Sequence, residues 1–343
     1  MGEKKKQFEN KRYLSLEILR FILSFWIIII HCHSVKNEKI LNTIHRCRFH
    51  VPTFMIIAFY FYYNCLFQRN ISKIKQRFKR ILIPYVIWPL IFLFFRNLFF
   101  FFKLNHFRTK LFWKDYALQL IFGRQYYGIF WFHFTLLFLS LLFAILSFSF
   151  KNYFLLILQI LSILSYYSQY SNTNIEYFCK YSLLVSKSLG CICEMLPFAV
   201  SGLTLGSFNI IPKIKKGKGE IFILSFLGIH FLFKYRIFTD IPYFIYSGIN
   251  LNFGSILLFF FFSSISLENI KNNKIISFIK IITNYTGGVY YLHPYVLSNL
   301  RNYKFFIKKK TFSECLFIYI LCYLICFIGS RKFKNTQIKY LFY

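Results

Sequence analysis

Apolar runs of about twenty residues, the length of helix that crosses a hydrocarbon core, recur from one end of this chain to the other. Charged or Pro-, Gly- and Asn-rich breaks separate them. A water-soluble domain of 343 residues needs a broad polar shell, and this chain has no residues to build one. Hydrophobic residues fill 57% of positions, Phe, Tyr and Trp 23%, and charged residues only 16%, so the bilayer is the natural solvent. The runs fall at roughly 14–33, 51–68, 81–102, 129–149, 152–168, 183–208, 220–235, 249–267, 281–299 and 313–330. The expectation is an all-α, polytopic transmembrane bundle of about ten helices, read as a single domain over 1–343.

The formal charge of +32 raises the question of nucleic acid. The Lys and Arg clusters punctuate the apolar runs, however, which makes them topology signals and contacts for anionic lipid head groups, with no nucleic-acid partner implied. An AT-rich coding sequence gives the same excess of Phe, Ile, Lys, Asn and Tyr, so charge alone says little about function. The basic stretch Met1 to Arg12 and the cluster from Arg69 to Arg80 place both termini in the cytoplasm, in the plasma membrane. No small-residue cleavage site follows the first run, which reads as a retained span. The nine Cys residues lie mostly inside apolar runs, where they read as small packing residues and carry no zinc signature. No internal repeat is visible.

Charged side chains within a span are costly and need a partner or a purpose. The first run holds Glu17, Arg20 and His31. Eleven steps at about 100° put Arg20 and His31 on one stripe, about 16 Å apart along the axis. Glu17, one turn before Arg20, can pair with it. An imidazole there suits general-base work near neutral pH, and a guanidinium suits a phosphate or carboxylate. The bland alternative stands beside this: a structural Glu17–Arg20 ion pair and a His31 that ends the span at the interface. His33, His45 and His50 have no carboxylate or Cys at ligand spacing, so no metal is expected. Glu194 and Pro197 in the sixth run stand out because a buried acid must be paired or line a polar path.

Five segments, in order, resemble the acyltransferase-3 family of membrane acyltransferases. Tyr13 to His31, YLSLEILRFILSFWIIIIH, is similar to that family's first span, including Arg, ten residues, then His. VPTFMI from Val51, RFKRILIPYVIW from Arg77, WFHFTLLFL from Trp131 and TGGVYYLHPYVL from Thr286 resemble its Val-Pro-x-Phe-Phe, Ile-Pro-Tyr, Trp-Phe-Leu and Gly-Ile-Tyr-Leu-x-His-Pro segments. The chain departs from the pattern at Ala58, Phe59 and Tyr60, where the family has Ser-Gly followed by an aromatic residue, and at Phe130, where a polar residue is frequent.

The resemblance implies an O-acetyltransferase. Acetyl-CoA would serve as cytoplasmic acyl donor, and an extracytoplasmic glycan or lipid-linked sugar as acceptor. It also implies His31 as catalytic base or transient acyl carrier, Arg20 and Arg80 at the donor, and Glu17, His293 and Trp131 in support. His293, beside Pro294 in a Gly287-Gly288 segment that loosens the ninth span, would bind acceptor or organise the site. The alternatives are a transporter or flippase for a glycan or lipid-linked sugar, and a membrane glycan polymerase using the loop from Lys103 to Gly128.

Overall fold

The computed structural model describes residues 13–31, 48–104, 109–123, 130–170, 183–235, 249–265, 273–302 and 312–342. Met1 to Arg12, His33, His45, Arg108, Arg124, Arg236, Asp240 and Lys310 lie outside the described residues. Among those described are thirteen α-helices, one short 3-10 turn and no strand. The helices are α1 Leu14–His31, α2 His50–Phe67, α3 Ile71–Leu104, α4 Thr109–Phe122, α5 Phe130–Ser149, α6 Phe154–Tyr170 and α7 Leu183–Ser207. There follow α8 Ile210–Lys216, α9 Lys218–Tyr235, α10 Ile249–Ser264, α11 Asn273–Thr283, α12 Thr286–Asn302 and α13 Phe312–Lys332, with the 3-10 turn at Gln337–Leu341. Five stretches, in α1, α3, α5, α7 and α13, are long and apolar enough to cross a membrane. The chain is a helical integral membrane bundle, as the runs predict.

Eight of the expected runs correspond closely to helices, the other two differ, and one expected loop contains a helix. The run at 281–299 is split: α11 ends at Thr283, and α12 begins at Thr286. Threonine hydroxyls compete for backbone acceptors at the break, Thr283 Oγ1 donating to Ile279 O at 2.9 Å and Thr286 Oγ1 to Thr283 O at 3.4 Å. Gly288 lies inside α12, close to the C-terminal segment. A side chain there would lie 2.7 Å from the Phe342 carbonyl oxygen, so Gly288 admits the C-terminal segment against α12. The third run is part of a longer element, because α3 has 34 residues and reaches about 51 Å, well beyond a hydrocarbon core of about 30 Å. Its basic first turns are good helix formers and continue the helix out of the membrane. The stretch read as a loop after Lys103 contains α4, clamped to α3 by Tyr85 Oη donating to Leu120 O at 2.7 Å and Tyr116 Oη to Val86 O at 3.2 Å.

On one helix burial is inverted relative to a soluble protein. On α6, Ser162, Ser165 and Gln169 are buried while Leu156, Ile160, Ile163 and Leu164 are exposed. The inward polar groups tie helices together: Gln169 Nε2 donates to Cys193 O at 3.0 Å, and Asn252 Nδ2 to Tyr166 Oη at 2.6 Å and Ser201 Oγ at 3.0 Å, joining α6, α7 and α10. Lipid covers the apolar outside without cost, so interhelical hydrogen bonds and close packing of small residues do the work that hydrophobic burial does in water. The tightest packing joins α7 to α2. Gly202 and Gly206 form a small-x-x-x-small ridge on α7; a side chain at 202 would strike the Ile56 carbonyl, and one at 206 would lie 2.8 Å from Tyr60 O.

Two apolar cores result. One gathers Leu16, Leu19, Leu23 and Ile27 of α1 with residues of α2, α5, α6, α7 and α10, including Met55, Phe59, Phe143 and Leu203. The other gathers Ile28 and Ile29 of α1 with Tyr85, Trp88 and Phe92 of α3, Phe130, and residues of α12 and α13. Helix α1 lies between them, packed against α2, α10, α11, α12 and α13.

In the basic first turns of α3, Arg77 turns into the bundle. Its guanidinium lies 4.2 Å over the Tyr62 ring and 5.3 Å from that of Phe59, and Nη1 donates to Ala58 O at 3.2 Å. A cation over aromatic faces, partly desolvated, is worth on the order of 1–2 kcal/mol. Arg77→Met is therefore expected to lower the melting temperature of the detergent-solubilised protein, a loss of about 1–3 kcal/mol. Arg80→Met, at an exposed position, is expected to leave it unchanged. Gly202→Val should cost about 1–3 kcal/mol or more by forcing α7 off α2, read as early loss of the monodisperse peak in heated size-exclusion chromatography.

Candidate functional site

On α1 the two core-facing stripes leave an arc between them. Leu16, Leu19, Leu23 and Ile27 lie on one side and Phe21, Phe25, Ile28 and Ile29 on the other. At about 100° per residue, Glu17, Arg20, Ser24 and His31 share about 60° of the arc between these stripes, on the side opposite the exposed Ile22. The predicted alignment of Arg20 with His31 therefore coincides with a seam between two cores. Arg20 Nη1 lies 3.2 Å and 3.3 Å from the two Glu17 carboxylate oxygens, with the Arg20 side chain 38% and the Glu17 side chain 18% exposed. This pair engages Nη1, so Nε–H and Nη2–H remain outside it. One turn on, Ser24 Oγ and Tyr319 Oη of α13 lie 3.2 Å apart in the buried seam.

At the far end of α1, His31 is exposed and its ring centroid lies 5.1 Å from that of His293, which is 1% exposed. Two residues far apart in sequence, both predicted as site residues, are thus brought together. His293 is held by its own helix: Nδ1 lies 3.3 Å from Val289 O. A carbonyl can only accept, so this contact puts the proton on Nδ1 and leaves the Nε2 lone pair free to accept. The next residue, Pro294, lacks an N–H, so the Tyr290 carbonyl has no amide at that position and lies in contact with the same ring. His50, buried at the start of α2, lies within electrostatic reach of His293.

The remaining predicted residues are more dispersed. Arg80 lies exposed in the basic first half of α3, three residues past the inward-turned Arg77. Trp131 is half-buried in the first turn of α5, where its carbonyl accepts the Thr135 hydroxyl at 2.8 Å. Glu194 is buried on α7 one turn before Pro197. Cys315, Cys322 and Cys326 are buried on α13 against the second core, as packing residues would be. Among the described residues, no three His, Cys, Asp or Glu side chains are grouped to hold a metal ion.

Two residues in this region were not picked out from the sequence. Arg77 continues the three-and-four spacing of the inward residues Ile74, Ile81, Tyr85, Trp88 and Phe92, a stripe that extends into the polar turn. His133 stands where the resembled Trp-Phe-Leu segment has Leu. It is buried on α5, in register with the buried Ser140, Ala144 and Ser147, and its ring lies 4.1 Å from that of Tyr291 and 5.2 Å from that of Tyr290.

The arrangement offers an accessible imidazole, a second imidazole with a free acceptor nitrogen, and a half-exposed guanidinium about 16 Å along the same helix. That set can take a proton from a hydroxyl at one level and hold an anion at another. Searches of curated proteins and of solved structures returned no match. Residues 13–331, nearly the whole chain, match the family described as an acyltransferase domain, so the helical membrane bundle with its arginine and histidine along one seam belongs to the acyltransferase-3 family.

Proposed function

We propose that this membrane acyltransferase is an O-acetyltransferase of the plasma membrane that moves an acetyl group from acetyl-CoA to a hydroxyl of an extracytoplasmic polysaccharide or lipid-linked sugar. The observation that carries the reading is the meeting of His31 with His293 at one end of the seam, in a family whose chemistry is acyl transfer. With both termini in the cytoplasm, the basic first turns of α3 lie on the donor side and the imidazoles nearer the outer face. Arg20 and Arg80 hold the phosphates of the donor, Glu17 orients Arg20, and Trp131 and His293 support the acceptor end.

In the reaction, His31 takes the proton from the acceptor hydroxyl as its oxygen attacks the thioester carbonyl. The C–S bond breaks, the thiolate of CoA leaves, and His31 returns the proton to it. If the imidazole receives the acetyl group first, a covalent acetyl-imidazole forms on His31 in the absence of acceptor and is trapped by rapid quenching and mass spectrometry.

Membrane vesicles given acetyl-CoA labelled in the acetyl group are expected to transfer label to a glycan or lipid-sugar fraction. His31→Ala should reduce that transfer by about 10²–10⁴-fold with the protein still monodisperse. Transfer undiminished in His31→Ala overturns the assignment of His31. Movement of a lipid-linked sugar across the vesicle membrane with no donor present replaces the transferase reading with a flippase.

A further inference from the structure

Resting on the transferase reading, we propose that His133 and His293 together form a neutral subsite that binds a hydroxyl of a polyhydroxylated acceptor beside His31, so that one hydroxyl is held while its neighbour is acylated.

Three observations meet at this place. The first is unsatisfied polarity: His133 Nδ1 and His293 Nε2 are both buried and have no hydrogen-bond partner among the described residues. An unmade hydrogen bond at a buried nitrogen is destabilising, and His133 and His293 are only 8% and 1% exposed. Thr53 Oγ1 and Ser263 Oγ are likewise orphaned among the described residues, but the two imidazole nitrogens are set apart by flanking Tyr290 beside His31, and a ligand that completes both bonds supplies a reason for them.

The second is position. His133 contacts Tyr290, whose ring lies 5.9 Å from that of His293, and His293 in turn meets His31. The imidazoles therefore follow one another along the boundary between the two cores. Tyr290 and Phe132 belong to the first core, and Tyr291 and Phe130 to the second. Aromatic rings around polar nitrogens form an amphipathic wall, which suits a sugar with its apolar C–H face and its hydroxyl rim.

The third is tautomer. Because Nδ1 of His293 is committed to Val289 O, Nε2 is an acceptor and takes an O–H, not a carbonyl or a phosphate oxygen. The chemistry of the subsite thus matches an alcohol and not the anionic donor.

The test uses the full chain in membrane vesicles with labelled acetyl-CoA. His133→Phe keeps the ring and removes the orphaned nitrogen. If that nitrogen exists for a ligand, the variant should unfold at the wild-type temperature or above, since replacing an unsatisfied buried polar atom by an apolar one is neutral or stabilising. Its transfer of label to the glycan or lipid-sugar fraction should fall at least about tenfold, with the KM for acetyl-CoA unchanged, and His133→Gln should recover part of the loss. Wild-type transfer in His133→Phe, or a drop in its melting temperature of more than a few degrees, overturns the proposal in favour of a packing histidine. His31→Ala, run in parallel, keeps the two ideas apart: undiminished transfer there sinks the role of His31 whatever His133 does. The melting measurement judges the orphaned nitrogen even in a preparation that transfers nothing.

Discussion

The structure depends on two aromatic-rich cores that meet along one side of α1. Along that strip lie Glu17, Arg20, Ser24 and His31. Glu17 and Arg20 satisfy each other, Ser24 meets Tyr319, and His31 meets His293. Had the cores fused, Arg20 would face a dehydration cost of several kcal/mol with one carboxylate to offset it. The seam keeps Arg20 and His31 accessible while apolar walls exclude the alternatives, and this lets charged and titratable groups persist at these depths.

The same economy governs the rest of the bundle. Because lipid is as apolar as Leu, burying more Leu brings helices no closer, and specificity falls to backbone approach and to hydrogen bonds. The ridge of Gly202 and Gly206 seats α7 on α2. This answers the departure at Ala58, Phe59 and Tyr60: the small residues that let two backbones approach sit on the partner helix, not on α2. Bulky Phe59 and Tyr62 on α2 are then free to take the guanidinium of Arg77, so a basic turn at the membrane surface is anchored to the core beneath it. The close contact of α2 and α7 also fixes the level at which His50 enters the bundle.

Helices were legible wherever an apolar run was uninterrupted, because length alone identifies a span. The elements that escaped were those whose stability comes from specific bonds. Helix α4 has an undistinguished pattern and stands because Tyr85 and Tyr116 clamp it to α3. The break between α11 and α12 depends on which carbonyl each threonine hydroxyl reaches, a choice that apolarity does not record. At the site, the alignment of Arg20 with His31 followed from helical arithmetic, whereas the encounter of His31 with His293 needed the tertiary packing of α12 on α1. His133 stayed hidden for a similar reason. A histidine inside a Phe-rich run reads as an interruption of packing until the neighbouring helix shows that its nitrogen has no partner.

His293 shows how backbone chemistry sets side-chain chemistry here. A helical carbonyl keeps a second lone pair after it has accepted an amide, and Val289 O uses it to take the Nδ1 proton of His293. The helix thereby fixes one tautomer, and with it the single direction in which His293 can accept a proton. A histidine held in this way is a fixed acceptor, while His31 is exposed at the end of its helix. The two imidazoles, 5.1 Å apart, thus differ in that one is held by a carbonyl of its own helix while the other ends its helix exposed.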